Sequence, residues 1–78
     1  MPYRNVSEIG AWVREQRKLR GFTQRELAMH ANVGVRFISD LENGKPTVEL
    51  GKVIAVLSVL GIDLELTPRR EKLKRYEA

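Results

Sequence analysis

The sequence predicts a small all-α domain of four main helices, followed by one short C-terminal β-strand. Apolar residues recur at helical spacing as far as Leu60, and capping and stop residues divide that run into segments. Strict alternation of apolar and acidic residues appears only at 62–66. A chain of 78 residues makes one domain whose core alone is marginal, so we expect oligomerisation to add stability. We assign residues 1–66 to this domain and 67–78 to a basic, flexible tail.

Composition excludes several classes of function. The chain has no Cys, which rules out a disulfide frame, a thiolate metal site and a Cys nucleophile. No apolar run approaches the roughly 20 residues of a membrane span, and the N-terminus lacks the apolar core of a signal peptide. These features predict a cytoplasmic protein. The net charge of +4 favours an anionic partner, although a mildly basic soluble protein is the plainer interpretation.

Nothing in the sequence predicts an enzyme. His30 is the only His, and no acidic cluster accompanies it, so we interpret it as a surface or packing residue. The sequence contains neither a Gly-rich phosphate loop nor metal-ligand spacing. We therefore expect no catalytic residues, no metal and no cofactor.

The first helix is predicted to begin at Asn5 or Ser7 and to end at Gly21. Glu8 lies three residues after Asn5, at the spacing of a capping box. The inward side of this helix is predicted to carry Ile9, Trp12, Val13, Gln16 and Leu19.

The chain is organised around residues 23–44, which are predicted to form two short helices joined by a tight turn. Thr23 and Glu26 have capping-box spacing, the turn lies at Asn32–Gly34, and Asn43–Gly44 ends the second helix. The free side of the second helix carries Val35, Arg36, Ser39 and Asp40. This is the plan of a helix-turn-helix, whose second helix enters the DNA major groove. Spacing alone indicates paired helices and leaves DNA binding undecided.

The residue pattern of this motif resembles the lambda-repressor-like (Cro/C1, XRE) helix-turn-helix proteins. The matching residues are Gly21-Phe22-Thr23-Gln24, Glu26-Leu27-Ala28, Val33, Ile38-Ser39 and Leu41-Glu42-Asn43-Gly44. With the helix and strand that follow, the resemblance extends over roughly 12–66 and is closest to the HipB-like antitoxins. It implies a DNA-binding domain that recognises a palindromic operator.

The resemblance also implies roles for individual residues. The base-facing positions are Val35, Arg36, Ser39 and Asp40, and the phosphate-facing positions are Gln24, Asn43 and Lys45, with Arg25 as a further phosphate candidate. An ion pair between Arg17 and Glu42 is expected to tie the first helix to the recognition helix, the alternative being two solvated side chains. Two departures stand out: Gly34 replaces a hydroxyl residue that often caps the recognition helix, and Val35 replaces a polar base reader.

The C-terminal part of the chain is predicted to form a dimer. A fourth helix, Val48–Leu60 with Thr47 as its cap, is apolar nearly all round and therefore needs cover on more than one side. The strand Ile62–Leu66 leaves its backbone groups unpaired unless the same strand of a second copy pairs with it. The predicted dimer interface contains Val53, Val56, Leu60, Ile62, Leu64 and Leu66.

The tail 67–78 carries five basic and two acidic residues and is interpreted as disordered, or as an arm that contacts DNA or a protein partner. The resemblance implies a repressor that is the antitoxin of a toxin–antitoxin operon, binds a HipA-like kinase toxin and regulates its own transcription. The alternatives are a stand-alone repressor of the phage or housekeeping kind, and a protein-interaction module without DNA binding.

Overall fold

The computed structural model of the protein describes residues 5–46, 49–66 and 68. Within these ranges the chain forms four helices: α1 (Val6–Leu19), α2 (Gln24–Ala31), α3 (Val35–Glu42) and α4 (Leu50–Val59). The prediction of an all-α domain with four main helices is confirmed. The fourth helix is shorter than predicted, and the proposed cap Thr47 lies outside the described residues.

Side-chain caps fix the beginnings of α1 and α2. The Asn5 side chain accepts a hydrogen bond from the Glu8 amide at 2.9 Å. The Thr23 hydroxyl accepts from the Glu26 amide at 3.0 Å, and the Glu26 carboxylate accepts from the Thr23 amide at 2.9 Å. This is the reciprocal arrangement of a capping box, as predicted. Hydrogen bonds from the Thr23 backbone and side chain hold the pKa of the Glu26 carboxyl below its usual value.

The turn between α2 and α3 depends on one residue in the left-handed region. Asn32 has φ 57° and ψ 45°, a conformation that Asn adopts more readily than most residues with a side chain. Gly34 has φ −74° and stands at the N-cap of α3, where no side chain caps the helix. The weaker cap predicted from the absence of a hydroxyl at this position is therefore observed.

The core lies where α3 packs against α1 and α2 and where α4 packs against α2. The largest fully buried side chains are Leu27, Ile38, Leu41, Leu60, Val13 and Val56. Every helix contributes to this single cluster, and α3 contributes Ile38 and Leu41.

Gly10 allows α1 to approach the end of α3 closely. It is buried, and a Cβ atom at this position would collide with the backbone carbonyl oxygen of Leu41. A collision with backbone cannot be relieved by rotating a side chain, so only glycine fits here. The spacing of apolar residues along α1 does not predict this close approach.

The prediction that Leu19 lies on the inward side of α1 is wrong, since its side chain is 73% exposed. At 100° per residue, Leu19 is displaced by about 120° from Val13 around the helix, whereas Arg17 is displaced by only about 40°. Arg17 therefore occupies the inward position and is buried.

The assignment of Val53, Val56 and Leu60 to a dimer surface is also wrong. Val56 and Leu60 are completely buried within one chain, and Val53 is nearly so, because these residues form the core against the other helices. The apolar surface that α4 leaves exposed carries Leu50 and Ile54 instead.

Residues 62–66 adopt no regular secondary structure within the single chain. A strand that pairs only with a second copy cannot be recognised in one chain, so the strand Ile62–Leu66 stays a prediction. Ile62 packs partly against the core, whereas Leu64 and Leu66 are exposed. Apart from Pro68, the tail 67–78 lies outside the described residues.

Candidate nucleic-acid interface

Helix α3 has one face in the core and one face in solvent. Ile38, Leu41 and Glu42 are buried on the inner face. On the outer face, Val35 and Arg36 are exposed, and Ser39 and Asp40 are half-buried. The four residues predicted to face DNA bases therefore share the accessible side of one rigidly supported helix.

Two of the predicted phosphate contacts lie beside these residues. Lys45 Nζ lies 3.5 Å from Asp40 Oδ2, with side chains that are 51% and 31% exposed. Asn43 Nδ2 donates to the Ser39 hydroxyl at 3.5 Å, a long hydrogen bond. The loop after α3 thus places the residues predicted to contact DNA phosphates next to those predicted to contact DNA bases.

The inner end of α3 is anchored by a buried ion pair. Arg17 Nε donates to Glu42 Oε2 at 2.6 Å and Arg17 Nη2 donates to Glu42 Oε1 at 3.1 Å, so the contact has two points. Arg17 Nη1 also donates to the Phe22 carbonyl oxygen at 2.8 Å. Such forked contacts between arginine and carboxylate fix direction as well as distance. The structure brings together the two residues that the resemblance paired and ties α1 to the recognition helix.

Gln24 joins this network through a hydrogen bond that the sequence did not predict. Its Nε2 donates to Glu42 Oε1 at 3.1 Å, across 18 positions of the chain. Such a contact has no local sequence signal, because it depends on how α2 crosses α3. A side-chain amide carries two N–H hydrogens, so one remains for a second acceptor. Arg25, the next residue, is exposed and lies beside the same helix start.

Lys52 is a second residue that the sequence analysis missed. Its ammonium lies 5.7 Å from the centre of the Phe37 ring and 3.6 Å from the Glu49 carboxylate. The lysine thereby links α4 to the flank of α3, with the ring and the charge at cation–π distance. Phe37 is half-buried and packs against the core, so its ring does not belong to the exposed face of α3.

The described part of the chain offers little for other chemistry. Its His, Asp and Glu residues form no group of three that could hold a metal ion. His30 is exposed, with its ring centre 5.4 Å from that of Phe22. No helix in the described ranges is both long enough and apolar enough to cross a membrane.

Comparison with known families identifies this arrangement. The family HTH_3, described as helix-turn-helix, matches residues 13–66, which include the second half of α1 and all of α2, α3 and α4. The chain belongs to this helix-turn-helix family. Its members are lambda-repressor-like DNA-binding transcriptional regulators and not enzymes.

A curated relative agrees with this assignment. The chain is 48% identical over 68 residues to y4mF, an uncharacterized HTH-type transcriptional regulator of Sinorhizobium fredii (strain NBRC 101917 / NGR234). The match covers 87% of this chain and 90% of that protein, so the two correspond over nearly their whole lengths. This helix-turn-helix chain is therefore a transcriptional regulator of the same family.

Solved structures show the same fold. A chain of the HipA-HipB-O2-O3 complex and a chain of the HipB-O4 20mer complex each match with a TM-score of 0.80 and 21% identity. Each match covers 90% of this chain and 99% of the other. The resemblance to HipB predicted from the motif is confirmed at the level of the fold.

Proposed function

We propose that this regulator is a repressor that binds a palindromic operator as a homodimer. The observation that carries the proposal is the construction of α3: its outer face is accessible, while its inner face is fixed by the core and by Arg17 and Glu42. A helix supported in this way can enter the major groove without reorganising. Two-fold symmetry would place two such helices about one DNA turn, roughly 34 Å, apart.

Each exposed residue receives a role suited to its chemistry. Arg36 can donate two hydrogen bonds to guanine O6 and N7, and Val35 can contact a thymine methyl group. Phosphate contacts are proposed for Gln24, through its second amide hydrogen, and for Arg25, beside the N-terminus of α2. Asn43 and Lys45 lie on the loop after α3, where the same role is proposed.

For the dimer we propose a surface revised from the one predicted by the sequence. Leu50 and Ile54 are spaced by four residues on α4 and are both exposed, as are Leu64 and Leu66. A second copy would cover these side chains, and pairing of Ile62–Leu66 with its equivalent would satisfy the backbone groups of that segment.

The regulator is further proposed to be an antitoxin that binds a HipA-like kinase toxin in the cytoplasm and represses its own operon. The support is the fold shared with HipB, which occurs with HipA in one of the matching complexes. The toxin should dock away from Val35–Ser39, so that DNA and toxin can be bound together. A toxin bound in this way would add its own contacts to DNA or to the dimer, and by linkage each ligand would tighten the binding of the other.

The experiment is co-purification with the product of the adjacent gene, followed by operator titration with and without that product. The operator is obtained by selecting duplexes from a randomised pool. Tighter operator binding in the presence of the gene product supports the antitoxin. If the product of the adjacent gene does not co-purify and the dimer alone binds the operator fully, the stand-alone repressor is supported. If the protein selects no duplex from the pool, the interaction module is supported.

A further inference from the structure

We propose that Asp40 selects a cytosine and that Lys45 masks Asp40 on every other sequence. In the free chain the ammonium of Lys45 neutralises the carboxylate. On the matching base, Lys45 moves to a DNA phosphate and Asp40 accepts a hydrogen bond from cytosine N4. This inference rests on the proposed function, because it needs α3 in the major groove.

The geometry favours an exchange of this kind. The backbone amide of Lys45 donates to the carbonyl oxygen of Asp40 at 3.0 Å, so the loop after α3 folds back on the helix end. The side chains of Asp40 and Lys45 therefore start close together on the backbone, and Lys45 Nζ lies 3.5 Å from Asp40 Oδ2. Charge-assisted hydrogen bonds are usually shorter, at about 2.7–2.9 Å. The pair is close enough to neutralise charge and too loose to lock Lys45 in place.

The chemistry of the carboxylate identifies the base. An ionised carboxylate only accepts hydrogen bonds, and in the major groove cytosine presents the N4 donor. Adenine also presents a donor, but its N7 acceptor lies beside it and would repel a carboxylate. Opposite any base without a suitable donor, Asp40 would face lone pairs and nearby phosphates. Asp40 therefore disfavours such sequences unless a cation neutralises it.

Lys45 supplies that cation and is weakly held. Both side chains are substantially exposed, and ion pairs in such positions contribute little to stability. Transfer of Lys45 to a phosphate is therefore inexpensive when cytosine takes over Asp40. On other sequences Lys45 stays with Asp40 and does not neutralise a phosphate, so no counterion is released from the DNA. The pair therefore lowers the affinity for non-specific DNA relative to the specific site.

The first test compares base preferences directly. The wild type, Asp40→Asn and the control Glu15→Gln each select duplexes from the same randomised pool. Glu15 is exposed in the middle of α1, away from α3 and from the proposed dimer surface, so the control removes an equal charge elsewhere. We expect the wild type and Glu15→Gln to prefer cytosine at one position of each half-site by roughly tenfold, and Asp40→Asn to lose that preference. A cytosine preference that survives in Asp40→Asn overturns the proposal.

The second test measures the salt dependence of binding to the selected duplex and to a scrambled duplex of equal length. Lys45→Gln should make the slope of log K against log salt less steep by about 1.8 on the selected duplex, that is, about 0.9 for each of the two Lys45 residues of the homodimer. On the scrambled duplex Lys45→Gln should change the slope much less, because Asp40 already holds Lys45 there. In an Asp40→Asn background, Lys45→Gln should change the slope on the scrambled duplex as well. Equal changes on both duplexes when Asp40 is retained overturn the masking. If the wild type selects no sequence at all, the proposed function fails as well, and this result is distinct from loss of the Asp40 effect alone.

Discussion

The Arg17 guanidinium grips the Glu42 carboxylate at two points, with Nε–Oε2 at 2.6 Å and Nη2–Oε1 at 3.1 Å. Both residues are buried, and Glu42 is the last residue of α3. Burial removes the water that would otherwise stabilise each charge, so the two side chains depend on each other. The contact therefore fixes the position of the recognition helix relative to α1.

Breaking this pair should destabilise the fold strongly. Arg17→Met leaves the Glu42 carboxylate buried without its cation, and we expect the free energy of unfolding to fall by about 3–5 kcal/mol. Chemical denaturation followed by the fluorescence of Trp12, the only tryptophan, measures the loss at fixed protein concentration. The exposed Arg14→Met is the control, with a change near zero expected.

A double-mutant cycle separates the pair from its surroundings. With Glu42→Leu added to Arg17→Met, the combined loss should be clearly smaller than the sum of the two single losses. Strictly additive losses would show that the two charges do not stabilise each other.

Two glycines in helices should respond to alanine in opposite directions. Gly10→Ala places a methyl group on the backbone of Leu41, and we expect a loss of about 3 kcal/mol or more. Gly51 in α4 has open space around the same position, so Gly51→Ala should gain about 0.5–1 kcal/mol. Thermal denaturation of the two variants in parallel makes the comparison. A well-folded, fully stable Gly10→Ala protein would contradict the close approach of α1 and α3.

The missing cap of α3 can be supplied. Gly34 has an extended backbone conformation, and a Cβ atom added to it would meet no other atom within 4 Å. Gly34→Ser should therefore accommodate a hydroxyl that caps the helix. We expect Gly34→Ser to be more stable than Gly34→Ala by about 1 kcal/mol, since only serine accepts from the helix amides. Equal denaturation midpoints for the two variants would exclude a cap bond.

The capping box of α2 should make the free energy of unfolding depend on pH in the acidic range. Because the pKa of Glu26 is lowered in the folded chain, its contribution is fully present above the ordinary value of 4.5. It is lost as the pH falls from there through the lowered folded value. Glu26→Gln should remove this part of the pH dependence. Glu15→Gln, an exposed change in the middle of α1, should keep it, and identical acid profiles for both variants would count against the box.

Local signals in the sequence predicted the local structure well. The caps at Asn5 and Thr23, the turn at Asn32 and the end of α3 all depend on residues within a few positions of one another. Their physics is that of backbone groups satisfied by nearby side chains, which spacing reveals directly.

Contacts between helices were predicted less completely. The pairing of Arg17 with Glu42 came from a family resemblance, whereas the close approach at Gly10 and the bond from Gln24 to Glu42 were not anticipated. Both depend on the angle at which helices cross, which hydrophobic spacing does not determine.

The division of the apolar residues of α4 between core and dimer surface was predicted incorrectly for a related reason. An almost continuous apolar run does not show which residues face their own core, and Val56 and Leu60 proved to be core residues. Only the packed structure distinguishes them from Leu50 and Ile54, which remain exposed.

The outer face of α3 is proposed to read DNA bases, and substitution of Arg36 gives the sharpest test of that role. The measurement is the affinity of Arg36→Ala and Arg25→Ala for the selected operator and for a scrambled duplex, by fluorescence anisotropy at several salt concentrations. Arg36→Ala should lose about 1–3 kcal/mol on the operator and much less on the scrambled duplex, because a guanine contact is sequence-specific. Arg25→Ala should weaken both duplexes alike and flatten the salt dependence, as expected for a phosphate contact. An Arg36→Ala protein that loses the same affinity on both duplexes would contradict base reading by α3.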